Sequence, residues 1–311
     1  MAVQETARTQ YITALNGITY AYRQVGPSDS TTSIPLVMEI HFRANMDFWD
    51  PLLINNIASY RPVILLDRPG VGRSSGEIST TYEAWADDLI AFVKALGLER
   101  IDLLGFSMGG CEVQMVALNA PALVRKLIIC GSGPSQPASQ VDGIVWPRDE
   151  PPQKPIKMLA TATSRVEMEA AIAYSFFSNT DAGRQAASEY FSRIYQRTSE
   201  TNGGEKPIHE LLGLDKSAEQ RTAYQDWSTP NPRNSFDRLG ELKMPVLVLN
   251  GDNDLLIPTS RSYELLKRIE TAQLILYAQS GHGFLWQYAE RVAADINTFL
   301  GYDLVPKKSK L

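Results

Sequence analysis

A serine with a glycine two positions before it and two positions after it stands where an apolar run gives way to a helical pattern. Residues 105–110 read Gly-Phe-Ser-Met-Gly-Gly, which puts Ser107 at the centre of a G-x-S-x-G spacing. Small neighbours are needed there because larger side chains would collide across a sharp strand-to-helix turn. The spacing predicts a nucleophilic hydroxyl on Ser107, and the alternative is a glycine-bearing turn with a solvated serine.

A histidine in the C-terminal part of the chain is the candidate base for this serine. A serine hydroxyl is a weak nucleophile at neutral pH and needs a base whose orientation a third group fixes. Of the 3 histidines, His41 ends an early apolar run and His209 lies in a loop. His282 follows the apolar run AQLILYA, where the chain order serine, acid, histidine puts the base. We therefore predict His282 as the base, with a capping or surface histidine as the alternative.

Two aspartates follow the apolar run VLVLNG and compete for the role of the acid. In a G-D-x-D-x-x-x-P segment the second aspartate normally faces the histidine, and the first supports the turn. We predict that Asp254 orients His282 and that Asp252 is an Asx-turn residue. The alternative exchanges the two roles.

Short apolar runs alternate with amphipathic helical patterns along most of the chain. Residues 12–26 are two alternating runs hinged on Asn-Gly, which predicts an antiparallel hairpin. Apolar runs at 34–42 and 100–106 predict strands, and the spacing of apolar residues over 82–96 predicts a helix. This alternation predicts an α/β fold with a mostly parallel sheet and helices on both of its faces.

The alternation is interrupted between residues 136 and 237, where clustered prolines precede helical stretches rich in alanine and aromatic residues. We interpret residues 136–237 as an inserted helical lid, residues 1–135 and 238–304 as one core, and residues 305–311 as a tail. Some lid aromatics are expected to line an apolar acyl pocket. The candidates are Trp146, Tyr174, Phe176, Phe177, Tyr190, Tyr195 and Trp227.

Composition excludes several classes of partner. The 30 basic and 35 acidic residues give a formal net charge of -5, which does not favour nucleic acid. The 2 cysteines form neither a disulfide framework nor a zinc spacing, and the polar start AVQETARTQ is unlike a signal peptide. No apolar run approaches the roughly 18 residues that span a bilayer. We expect an intracellular protein with no membrane span and no nucleic-acid partner.

The three motifs, in this order, resemble the α/β-hydrolase superfamily over about residues 9–300. In the segment LLDRPGVGRSSG, the turn that follows the family's fourth strand is matched by Asp67, Pro69, Gly70, Gly72 and Ser74. Most members read His-Gly-x in the oxyanion segment, whereas this chain reads His41, Phe42, Arg43. The resemblance implies that the backbone N–H groups of Arg43 and Met108 form the oxyanion hole and that neither a metal nor an organic cofactor is needed.

Three other side chains near these motifs have ordinary structural interpretations. For Arg43, a salt bridge with Asp47 is favoured over recognition of a substrate carboxylate. Glu39 interrupts the run PLVMEIHF and is expected to form a structural ion pair rather than to act in catalysis. Cys111 is expected to pack in the core rather than to be a second nucleophile.

A serine nucleophile implies acyl chemistry, because the aspartate-nucleophile branches of the family form an alkyl-enzyme ester instead. We predict hydrolysis of an ester, thioester or lactone of a small hydrophobic acyl substrate through an acyl-enzyme. One alternative is a cofactor-free haloperoxidase-like or perhydrolytic enzyme, which uses the same triad. Another is a hydrolase-fold protein that binds a small molecule.

The last three residues are Ser309, Lys310 and Leu311, the tripeptide read by the peroxisomal import receptor. We therefore expect this receptor as a partner and the peroxisome as the location. The tail and the overall pattern are also similar to those of peroxisomal hydrolases in fungal toxin pathways of the Alternaria type. This resemblance implies a role in fatty-acyl or polyketide secondary metabolism.

Overall fold

A computed structural model describes residues 2–27, 34–137 and 153–301, which form one eight-stranded sheet with helices on both faces. The strands are β1 (Gln10–Thr13), β2 (Thr19–Val25), β3 (Leu36–Glu39), β4 (Val63–Leu66), β5 (Ile101–Phe106), β6 (Val124–Cys130), β7 (Val246–Gly251) and β8 (Ala272–Tyr277). Their order is β1-β2-β4-β3-β5-β6-β7-β8, in which β2 pairs antiparallel with β1 and β4, and the other pairs are parallel. The predicted fold class is confirmed.

Ten α-helices lie among the described residues. They are α1 (Pro51–Ala58), α2 (Tyr82–Ala95), α3 (Met108–Asn119), α4 (Gln153–Thr161), α5 (Arg165–Phe176), α6 (Asp181–Ile194), α7 (Ser217–Trp227), α8 (Ser260–Arg268), α9 (Phe284–Gln287) and α10 (Ala289–Gly301). No helix in this part of the chain is both long and apolar enough to cross a membrane.

Two hydrophobic cores lie on opposite faces of the sheet because successive strand residues point to opposite sides. In β3, Leu36 and Met38 join the core that contains α1 and α10, whereas Val37 joins the core that contains α2 and α3. Both faces of the central strands are therefore buried, which explains why those strands read as continuous apolar runs.

The parallel register brings four loops to one edge of the sheet. Glu39 at the end of β3 pairs with Gly105 near the end of β5, and Gly251 at the end of β7 pairs with Tyr277 at the end of β8. The loops that follow these strands carry Arg43, Ser107, Asp254 and His282. Ligands of open α/β sheets bind at this carboxyl edge.

Helices α4 to α7 form an insertion between β6 and β7, within the range predicted for the lid. We call residues 153–227 the helical insertion. Its helix α6 is joined to the core by Arg193, which donates to both oxygens of Asp50 at 2.8 and 2.7 Å, and by the Tyr190 hydroxyl, which donates to Phe48 O. Trp146 and the tail of residues 305–311 lie outside the described residues.

Candidate active site

Ser107 lies on a sharp turn between β5 and α3. Its φ of 59° is in the left-handed region, which is strained for a residue with a side chain. A Cβ at Gly105 would lie 2.1 Å from Gly109 O, and a Cβ at Gly109 would lie 2.5 Å from Glu39 O, so both positions require glycine. The Ser107 N–H donates to Cys130 O at 2.9 Å, which fixes the turn to β6. The predicted strand-turn-helix context is present.

His282 and Asp254 form a buried pair at the same edge. The distance from His282 Nδ1 to Asp254 Oδ2 is 2.6 Å, and both side chains are fully buried. The other carboxylate oxygen of Asp254 accepts the N–H groups of Leu256 and Ile257 at 2.8 and 2.9 Å. These three contacts fix the carboxylate, and a proton on Nδ1 leaves Nε2 of His282 as the basic nitrogen.

The basic nitrogen of His282 is not hydrogen-bonded to Ser107 in this structure. Nε2 is buried and has no hydrogen-bond partner among the described residues. In unliganded enzymes the bond between nucleophile and base is often long and tightens only when substrate binds. The structure thus brings Asp254 and His282 into contact and places Ser107 on the neighbouring loop. The hydrogen bond between Ser107 and His282 Nε2 is not formed.

Asp252 has a structural role, but not within its own turn. Its carboxylate accepts the N–H groups of Gln279 at 2.9 Å and Ser280 at 3.1 Å, in the loop that carries His282. The predicted Asx-turn is therefore replaced by a clamp between two loops. Asp252 helps to position the histidine loop, whereas Asp254 contacts the histidine itself.

His41 lies in a cage of aromatic rings beside the candidate base. Its ring makes edge contacts with Phe106, Phe176 and Trp286 at centroid distances of 5.6, 5.0 and 5.5 Å. Burial, assisted by the nearby His282, lowers the pKa of His41 to about 3, so the ring is neutral. Trp286, which closes this cage, was missed in the sequence because one aromatic in a helical pattern is indistinguishable from core packing.

Phe176 brings the helical insertion directly onto the candidate site. Its ring lies 4.9 Å from the His282 ring, and its carbonyl accepts the Gly283 N–H at 2.6 Å. Tyr190 lies one layer further out, because its ring stacks on Trp286 at 4.1 Å. Among the seven aromatics named from the sequence, Phe176 is the one with a ring contact to the candidate triad within the described residues.

The backbone N–H of Arg43 is already engaged by the insertion. Arg43 has a φ of 63°, and its N–H donates to Gln220 Oε1 of α7 at 2.9 Å. Met108, the other predicted oxyanion donor, is the first residue of α3, and the first N–H groups of a helix have no acceptor within it. The Arg43 N–H, one of the two predicted oxyanion donors, is therefore bound to a protein acceptor. No motif in the sequence indicated Gln220 as that acceptor.

The Arg43 side chain binds the helical insertion instead of forming the expected salt bridge with Asp47. Its guanidinium donates to three carbonyl oxygens of the insertion, those of Leu159 and Ala162 at 2.8 Å each and of Leu212 at 2.6 Å. Asp47, the expected salt-bridge partner, is surrounded by three other arginines, namely Arg23, Arg73 and Arg197. The buried Arg43 side chain instead binds the carbonyl groups at the end of α4.

Glu39 forms the expected structural ion pair. Arg68 contacts Glu39 at 3.0 Å and Glu112 at 2.6 Å, and all three side chains are buried behind the serine turn. Burial raises the pKa of Glu112 to about 7, and burial together with Glu112 raises that of Glu39. Burial also raises the pKa of Cys111 to about 12, as expected for a packing residue. The described residues contain no cluster of side chains that could hold a metal ion.

Comparisons with known proteins agree with this architecture. Residues 41–288 match a family model described as the alpha/beta hydrolase fold. An alpha/beta hydrolase fold protein from Chitinophaga pinensis is 31% identical, with a TM-score of 0.82 over 97% of this chain and 100% of that one. A 2-hydroxy-6-oxononadienedioate/2-hydroxy-6-oxononatrienedioate hydrolase of Paraburkholderia phymatum is 28% identical over 78% of this chain and 77% of its own. A 2-hydroxymuconate semialdehyde hydrolase of a Pseudomonas species is 26% identical, covering 88% of each chain.

Proposed function

The chain belongs to the α/β-hydrolase fold family and is a hydrolase, and from that premise we propose that it cleaves acyl esters, thioesters or lactones through an acyl-enzyme on Ser107. His282 is the general base and Asp254 orients it. The observation that carries this proposal is the buried 2.6 Å contact between His282 and Asp254 on the loops beside the strained serine turn.

The proposed reaction uses His282 to carry a proton in each of its two halves. Ser107 Oγ attacks the acyl carbon while its proton passes to His282 Nε2, and Asp254 stabilises the imidazolium. Collapse of the tetrahedral intermediate breaks the bond to the leaving group, which takes the proton from Nε2. Water then attacks the acyl carbon of the acyl-enzyme and gives a proton to His282. The bond between Ser107 Oγ and the acyl carbon breaks, Oγ takes that proton back, and the acid is released. Each oxyanion donor contributes about 3 kcal/mol in the transition state.

The proposed substrate carries a hydrophobic acyl chain. The ring of Phe176 and the aromatic cage around His41 provide apolar contacts beside the reacting atoms. The names of two relatives specify substrates that carry carboxylates. The side chain predicted to bind such a group, Arg43, instead donates to carbonyl oxygens of the insertion. We therefore favour a neutral acyl chain over a dicarboxylate.

Labelling with a fluorophosphonate, followed by assays with p-nitrophenyl esters of increasing chain length, tests this proposal. We expect the label on Ser107 and a Ser107→Ala variant that folds normally but is neither labelled nor active. Ser132→Ala, which changes a buried serine in the loop after β6, is the matched control. Residual hydrolysis above about a few per cent of wild type in Ser107→Ala would assign the nucleophile to another residue.

The proposal extends to peroxisomal acyl or polyketide metabolism, including toxin biosynthesis, on the strength of the Ser309, Lys310, Leu311 tripeptide and the similarity stated above. Appending residues 302–311 to a fluorescent protein should send it to peroxisomes. Replacing the final leucine in that fusion should leave it in the cytosol. Diffuse fluorescence of the unmodified fusion would refute the targeting.

A further inference from the structure

Arg43 connects the candidate oxyanion segment to the insertion through both its backbone and its side chain. Its carbonyl accepts the Leu212 N–H at 2.8 Å, and its guanidinium binds carbonyl oxygens at the end of α4 and at Leu212. Its N–H binds the side chain of Gln220 on α7. The backbone and the side chain of this one residue are therefore held by three separate segments of the insertion.

The Arg43 loop borders the serine turn. It follows β3, which pairs with β5, and β5 leads directly into Ser107. The ring of His41 lies 5.6 Å from Phe106, the residue before the serine. A group that accepts the Arg43 N–H therefore occupies one of the two N–H groups predicted to bind the oxyanion.

The side-chain amide oxygen of Gln220 resembles an acyl carbonyl oxygen as an acceptor for the Arg43 N–H. Its Oε1 is a neutral amide oxygen at 2.9 Å from the nitrogen, and its side chain is fully buried. Its Nε2 is buried and has no hydrogen-bond partner among the described residues. An unpaired buried donor destabilises the position of the amide, so Gln220 is held there weakly compared with a fully bonded glutamine.

On the basis of the proposed function, we propose that Gln220 is a displaceable occupant of the oxyanion hole. Its Oε1 satisfies the Arg43 N–H in the unliganded enzyme, and the acyl oxygen of the substrate replaces it during the reaction. Helix α7 thereby controls when the hole is available. Gln220 is a positioning residue of the insertion that competes with substrate instead of binding it.

The competition is measured with Gln220→Leu, which cannot accept a hydrogen bond, and Gln220→Glu, which accepts more strongly. The probe is a hexyl trifluoromethyl ketone, whose adduct with the serine carries an oxyanion. We expect the Leu variant to bind the ketone roughly fivefold tighter, the factor that corresponds to one net hydrogen bond, and to raise kcat on p-nitrophenyl acetate. The Glu variant should bind the ketone at least roughly tenfold more weakly and lower kcat.

Controls separate competition from damage to the fold. Gln225→Leu makes the same change at an exposed position of α7 and should leave both readouts unchanged. If Gln220→Leu does not fold, Gln220→Asn withdraws the amide from Arg43 and should act in the same direction. Weaker ketone binding by the Leu variant, or equal binding by the Leu and Glu variants, would overturn the proposal. Failure of the proposed function is distinct, because wild type would then resist both fluorophosphonate and ketone.

Discussion

At the scale of single residues, backbone strain is concentrated in the candidate site. Outside glycine, the described residues with positive φ are Arg43, Ser107 and Gln279. They lie respectively in the oxyanion segment, on the serine turn and in the loop before His282. Such conformations persist only where surrounding contacts over-determine them. Here those contacts are the insertion for Arg43, the glycines around Ser107 and the Asp252 clamp for Gln279.

The two aspartates should differ sharply when each is changed to asparagine. Asp254→Asn favours the wrong tautomer of His282 and should lower kcat by about 10³ to 10⁴. Asp252→Asn weakens the acceptor for two backbone N–H groups, so we expect less than a roughly tenfold loss of kcat and a fall of about 1–2 kcal/mol in the free energy of unfolding. Steady-state kinetics and urea unfolding of both variants measure this, and a reversed order of the kcat effects would make Asp252 the acid.

The contact between Asp254 and His282 could be predicted because the serine, acid and histidine motifs follow buried strands in a fixed chain order. The partners of Arg43 could not. Its N–H binds Gln220, 177 positions away on a helix whose polar residues all look alike in sequence. The side chain of Arg43 donates to backbone carbonyl oxygens. Because every residue has such a carbonyl, the sequence does not indicate which ones accept these hydrogen bonds. For Arg43, the sequence identified the hydrogen-bond donor but not the groups that accept its hydrogen bonds.

At the scale of elements, periodicity located helices and strands but overestimated one strand. The helix predicted over residues 82–96 is α2, and the Asn-Gly hairpin joins β1 to β2. The apolar run 34–42 predicts a strand, whereas β3 ends at Glu39. Beyond Glu39, Ile40 packs in the core of α1 and α10, and Phe42 packs against the core of α2 and α3. Burial at the active edge gives the same pattern as burial inside a sheet.

Removing the Arg43 guanidinium should loosen the insertion. Arg43→Met leaves three carbonyl oxygens without their donor, so we expect kcat/KM to fall by roughly tenfold to a hundredfold, equally on short and long esters. Hydrogen exchange of residues 153–227 should rise in the same variant. Arg221→Met, on the exposed side of α7, is the matched control. A loss confined to carboxylate-bearing esters would restore the substrate-recognition role.

The insertion also predicts a preference for acyl length. Because Phe176 lies against His282 and the surrounding cage is aromatic, hexanoyl esters should be cleaved faster than acetyl esters. Each buried methylene contributes up to about 0.8 kcal/mol, close to fourfold in kcat/KM, until the pocket is full. Phe176→Ala should flatten this dependence. Equal kcat/KM from acetyl to octanoyl esters would mean that the acyl chain lies away from the insertion.

At the scale of the whole molecule, the free energy of unfolding depends on pH through buried ionisable groups. His41 and Glu112 change it in opposite directions. Burial lowers the pKa of His41 from 6.5 to about 3, so the unfolded chain binds more protons between these values. The free energy of unfolding therefore falls as pH decreases through that range. Burial raises the pKa of Glu112 from 4.5 to about 7, so the folded chain binds more protons there and stability falls as pH increases.

The Glu112→Gln variant isolates the contribution of Glu112 to the pH dependence of the free energy of unfolding. The amide resembles the protonated carboxyl, so the variant should match wild type near pH 5, where folded wild type already carries that proton. Near pH 8, wild type carries the buried charge of Glu112 in the site that also holds Glu39, whereas the variant keeps only the contact between Arg68 and Glu39. We therefore expect the variant to be more stable than wild type at pH 8 by up to about 3 kcal/mol.

Urea unfolding at pH 5 and pH 8 measures this difference, with the exposed Glu99→Gln as the control for loss of one negative charge. The comparison of two pH values removes any constant cost of placing an amide beside Arg68. If Glu112→Gln were less stable than wild type by the same amount at both pH values, Glu112 would be ionised throughout and its charge would be required by Arg68. In that case Glu39 would be the carboxyl that holds the proton, and Glu39→Gln should then show the dependence on pH expected here for Glu112.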